Sequence, residues 1–80
     1  MMPLLIIRPL EQRQLSIAWL EISTSAGNFV IQPKHAPTIF ALTPGKDIII
    51  CLDNGKQEAI TINHGIIEIT RTQATLLLDE

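Results

Sequence analysis

The chain has 80 residues, 46% of them hydrophobic and 18% charged, with a formal net charge of −2. That length sets one domain at most, residues 1–80, with a thin core, because a chain this small buries only about 60% of its unfolded surface. Mild acidity without a basic cluster excludes sequence-independent binding to nucleic-acid phosphates, and a single cysteine, Cys51, excludes an internal disulfide framework and fits a reducing compartment.

Fourteen residues are isoleucine and only three are aromatic. Isoleucine is β-branched and favours strands, so an aliphatic, strand-built core is expected. No apolar run approaches the ~20 residues of a membrane span, so no direct membrane insertion is expected. The apolar start, Met1–Ile7, is cut by Arg8-Pro9 and is too short for a signal peptide.

Taken in order, Leu4–Ile7 reads as a first short strand, buried on both faces or lying at an edge. Glu11–Gln14 is polar and reads as a turn or a single helical turn. Ser16–Ser23 alternates, with Ala18, Leu20 and Ile22 toward the core and Ile17, Trp19 and Glu21 away from it. An outward tryptophan beside an isoleucine marks a contact surface, unless a neighbouring loop covers it. Thr24–Asn28 is a loop by composition. Phe29–Ile31 and Thr38–Leu42 flank Pro33-Lys34-His35-Ala36-Pro37, whose prolines exclude a helix and push Gln32 and Ala36 into extended backbone. This segment reads as strand, rigid corner, strand, closed by a turn at Thr43-Pro44-Gly45.

Asp47–Leu52 and Gln57–Asn63 flank Asn54-Gly55, a strong hairpin signal. A two-residue turn would pair Ile50 with Ala59 and put Ile48 and Ile50 opposite in facing to Ile60 and Ile62. A loop of odd length with Gly55 in a bulge keeps both sets on one side and is the preferred reading. His64-Gly65 separates the next strand, Gly65–Thr70, with Ile67 and Ile69 on one face and Ile66 and Glu68 on the other. Ala74–Leu78 is the last strand. Short strands with turn signals every ~8–12 residues predict an all-β fold, a two-sheet β-sandwich of short antiparallel strands.

Candidate chemistry is sparse. Cys51 sits mid-strand, where cysteine acts as a small hydrophobe. His35 and His64 share no ligand spacing with it, so no metal site, cofactor or catalytic residue is expected. No glycine-rich phosphate loop opens a helix. The residues alone describe a non-catalytic, partner-binding β domain.

Gly27, the corner Pro33-Lys34-His35-Ala36-Pro37 and Pro44-Gly45, in that order and spacing, resemble the start of the epsilon subunit of F-type ATP synthases. Asn63–Ile69 resembles that family's serine-Gly-Gly followed by an aliphatic pair, an acid and a valine, and Ala74–Asp79 its closing strand. Lys34 replaces the family's glycine before the histidine, His64 the first of its paired glycines, and Asn28 the acid of its loop. The resemblance implies a non-catalytic central-stalk subunit that links the gamma subunit to the membrane ring of c subunits and transmits torque. It implies a peripheral position on the cytoplasmic face of a bacterial inner membrane. It implies partner contacts at Ile17 and Trp19 for gamma, and at Asn28, His35 and Ala36 near the ring. Family members usually continue into an inhibitory helical hairpin, and a chain ending at Glu80 would lack it. The alternative is a free-standing interaction or regulatory module that self-associates through a strand edge or the Trp19 patch.

Overall fold

Alternation of aliphatic and polar residues produces eight strands and no helix among residues 1–79, which the computed structural model describes. They are β1 (Met2–Arg8), β2 (Glu11–Thr24), β3 (Gly27–Ile31), β4 (Thr38–Ala41), β5 (Lys46–Leu52), β6 (Gln57–Ile62), β7 (Gly65–Ile69) and β8 (Ala74–Leu78). Hydrogen bonding runs unbroken in the order β4-β7-β8-β1-β2-β5-β6, and β3 adds to β2.

The 14-residue β2 turns this continuous sheet into a sandwich. Its first half pairs with β1, from Arg8 opposite Glu11 to Met2 opposite Ile17. Its second half lies between β3 and β5, which both pair with Leu20 and Glu21 and so take opposite edges. One layer is therefore β4-β7-β8-β1 with the start of β2. The other is β3, the rest of β2, β5 and β6. Between the halves, Ile17 faces Leu52 and Trp19 faces Cys51, so two steps on β2 match one on β5. A bulge of this kind bends the strand and inverts which alternate residues point inward. Leu15 and Ile17 meet the core before it, Leu20 and Ile22 after it.

This overturns one sequence expectation. An unbroken period of two sets Ile17 outside beside Trp19, whereas the bulge carries Ile17 into the core with 0% of its surface exposed. Glu11–Gln14 is likewise strand rather than turn, because the two-residue Pro9-Leu10 connection starts β2 early. The Thr24–Asn28 loop shrinks to a Ser25-Ala26 turn, with Asn28 already in β3. The first strand is neither edge nor buried on both faces. It lies between β8 and β2, with Met2, Leu4 and Ile6 inward. The all-β reading holds, but pairing is not wholly antiparallel: β1 runs parallel to β8, Leu4 beside Ala74 and Ile7 beside Leu77.

Elsewhere local chemistry sets the geometry. Ile48 pairs with Ile60 and Ile50 with Glu58, the register of the bulged hairpin, and Gly55 takes a φ of 87° in its loop. Ile48, Ile50 and Ile62 are buried together as a result. At the rigid corner the chain crosses from one layer to the other, and the Phe29 and Phe40 rings meet at 5.0 Å between centroids. The corner begins with a β-turn: the His35 N–H donates to the Gln32 carbonyl at 3.2 Å, behind Pro33 and Lys34.

Lys34 has a φ of 70°, and no other described non-glycine residue has a positive φ. The third position of a type II turn requires that backbone, which glycine adopts freely and a lysine does not. Replacing Lys34 with glycine should therefore stabilise the fold by about 1 kcal/mol, net of glycine's larger unfolded-state entropy. A thermal melt should show the midpoint rising by about 4–8 °C. An unchanged or lower midpoint would refute the strain.

Candidate partner interface

Because side chains alternate, each layer has an outer face as well as a core face. On the β4-β7-β8-β1 layer, Ala41 pairs with Ile66, Ile66 with Leu77 and Leu77 with Ile7. These four apolar residues form one row across four strands. The next row holds Ile39 opposite Glu68, then Thr75 and Leu5. Ile39, Ile66 and Leu77 are 65%, 41% and 39% exposed. A shallow groove of about 470 Å³ opens beside this strip, lined by residues that include Ala41, His64, Gly65, Ile66 and Leu77. An aliphatic strip rimmed by Glu68, Thr75 and Asp79 has the make-up of a protein contact surface.

The outer face of the second layer carries Trp19. It is half-buried and lies opposite Cys51, which is buried yet stands apart from the core cluster. Glu21 pairs with both Val30 and Ile49, so half-buried Ile49 and exposed Val30 extend this patch. Ile49 and Val30, rather than Ile17, accompany the tryptophan.

The other predicted contact residues are split. Asn28 sits beside the β2–β3 turn, where its side-chain oxygen accepts from the Ser23 hydroxyl at 2.9 Å. His35 and Ala36 lie in the corner beyond the far end of β3, and His35 Nδ1 is 2.7 Å from the Ala36 carbonyl oxygen. Asn28 and the corner are thus separated by the length of the strand, at about 3.4 Å per residue. The sequence singled out these two segments as one contact, and the structure assigns them to opposite ends of the sandwich. The outer strip was missed. The alternation of Gly65–Thr70 sets Ile66 apart from Ile67 and Ile69, but only the pairing of β4, β7, β8 and β1 joins it to Ala41, Leu77 and Ile7.

No three His, Cys, Asp or Glu side chains gather at metal-binding distance among the described residues. His35, in the corner before β4, and His64, between β6 and β7, lie at opposite ends of the sandwich. No described helix is long and apolar enough to cross a membrane.

Among the described residues, the chain is a strand-built sandwich whose two outer faces carry apolar side chains, the form of a binding domain. The chain belongs to the family described as the ATP synthase, Delta/Epsilon chain, beta-sandwich domain, which matches residues 12–80. It is 42% identical over 53 residues to an ATP synthase epsilon chain of Xanthomonas euvesicatoria pv. vesicatoria, covering 66% of this chain and 37% of that one. It is 43% identical over 53 residues to an ATP synthase epsilon chain of Nitratiruptor, covering 66% and 40%. The match thus spans well under half the length of those relatives. A chain of the Euglena gracilis mitochondrial ATP synthase (OSCP/F1/c-ring) superimposes with a TM-score of 0.90 over 99% of this chain and 51% of that one, at 22% identity. One from the Tetrahymena thermophila central stalk and c-ring does so with 0.82 over 99% and 63%, at 14% identity. At those identities the structures establish the shared fold.

Proposed function

We propose that residues 1–80 act as one rigid rotor element of an F-type ATP synthase, held by the gamma subunit and resting on the ring of c subunits. The role is mechanical: it couples ring rotation to the catalytic head without chemistry of its own. The site would be peripheral, on the cytoplasmic face of a bacterial inner membrane. The observation that carries this reading is the exposed apolar strip of Ile39, Ile66 and Leu77 on a fold shared with ATP synthase stalk assemblies.

The fold suits torque. β2 runs through both layers, so no flexible linker separates them, and a close-packed aliphatic interior resists deformation. In this reading gamma grips the strip, with Trp19 and Ile49 as a second contact. The Asn28 end faces the ring. Ile17 serves by holding the bulge that presents Trp19.

The test is binding to the purified gamma subunit. Ile66→Asp and Leu77→Asp put a charge into the strip without touching the core. Each should weaken the complex about thirtyfold or more, as loss of an anchor worth ~2 kcal/mol does, while the melting midpoint stays nearly constant. Unchanged affinity in both variants would remove the strip from the interface. Wild-type protein that binds neither gamma nor the ring would sink the rotor reading and favour a free-standing module.

A further inference from the structure

The charges of this sandwich are sorted by end. Register identifies the loops that share each end. Met2, Ile17 and Leu52 lie in one row across three strands, and Leu52 meets Lys56 across its hairpin. Leu4 lies beside Ala74, Ala74 opposite Ile69, and Ile69 opposite Thr38. The amino terminus, the hairpin loop at 53–56, the turn at 70–73 and the corner at 32–37 therefore share one end. That end carries the side chains of Lys34, Lys56 and Arg71, against the single carboxylate of Asp53. All three basic side chains belong to exposed residues, and none is ion-paired with another described residue. Asp53 accepts a hydrogen bond from the Ser16 hydroxyl. The opposite end holds Glu11, Asp47 and Asp79 with Arg8 and Lys46, and Arg8 is already paired with Glu11.

The corner's lysine is the informative one. Its backbone occupies the left-handed region that a type II turn reserves for glycine. Folding alone would favour glycine at this site, so a long cation here serves something other than the turn. β4, which begins at this corner, also carries Ile39 of the apolar strip, so the cationic end is continuous with the proposed gamma contact.

We propose that this cationic end docks on an acidic protein surface, on the same partner that grips the β4-β7-β8-β1 strip. The proposal rests on the rotor reading and fixes its orientation: Lys34, Arg71 and Lys56 toward gamma, Asn28 toward the ring. Opposite charges steer the encounter and fix the docking angle, while the apolar strip supplies the lasting contact.

The experiment measures affinity of the intact chain for purified gamma at 50 and 300 mM NaCl, beside vesicles of anionic phospholipid. Wild type should lose about tenfold or more in affinity across that salt range. Lys34→Glu/Arg71→Glu should bind at least tenfold more weakly at low salt and lose most of the salt dependence. Lys34→Gly separates charge from fold, because it should melt higher than wild type yet bind gamma more weakly. Lys46→Glu, at the other end, should bind as wild type does. Salt-independent binding, or equal affinity of the doubly reversed variant, would overturn the orientation and leave the rotor reading standing. Salt-sensitive binding to vesicles with none to gamma would overturn both.

Discussion

Replacing Ile17 with alanine should cost about 3 kcal/mol of stability, with a fall in melting midpoint of roughly 12–24 °C for a domain of this size. The side chain has no exposed surface and sits where β2 crosses from one layer to the other. It lies opposite Met2 on one edge and Leu52 on the other, so its loss leaves a cavity bounded by three strands. Backbone at that point is tied into two ladders and cannot collapse to fill the space. Ile17→Val, which removes a single methyl, should cost about 1 kcal/mol. Chemical denaturation of both variants checks the series. A change under ~0.5 kcal/mol for Ile17→Ala would mean a surface residue, as an unbroken alternation requires.

That contrast marks the limit of what the sequence discloses. The hairpin at Asn54-Gly55 is legible because its register follows from matching Ile48 and Ile50 to Ile60 and Ile62, four residues close in sequence. The corner is legible because proline fixes its own φ and restricts its predecessor. The bulge is not legible. Ser16-Ile17-Ala18-Trp19-Leu20 alternates cleanly, and the extra residue appears only when β2 is laid against β5 some 30 residues on. The parallel β1–β8 pair is hidden for the same reason, since it joins the two ends of the chain. The interface follows this pattern. Trp19 was identified from its immediate neighbours, and it does lie on an outer face. The strip of Ile39, Ala41, Ile66 and Leu77 draws on three strands and required the sheet order. The charge sorting required it too, because Lys34, Lys56 and Arg71 are scattered in sequence and converge only through the register.

Substitution of Gly65 by alanine should also destabilise strongly, by about 3 kcal/mol, at the upper part of the range for overpacked sites. Its φ is not in the left-handed region, so the cause is space alone. A Cβ there would lie 2.7 Å from Leu78 Cδ2 and 2.9 Å from the Leu77 carbonyl oxygen. The methyl is the end of a rotatable side chain and can swing aside. The carbonyl cannot, because Gly65 is paired with Leu78 and Ile66 with Leu77 in the β7–β8 ladder. Relief of the second contact therefore means prising β8 away from β7 at the rim of the groove. A double-mutant cycle separates the two contacts. Adding Leu78→Ala removes the methyl contact, so Gly65→Ala should cost less in that background than in wild type, but not nothing. Full recovery would mean that only the leucine methyl limits the site. The same displacement moves Leu77, one of the exposed residues of the strip. In Gly65→Ala protein that remains folded at low temperature, the proposed contact with gamma should therefore be weaker, although residue 65 itself adds only a methyl group to the surface.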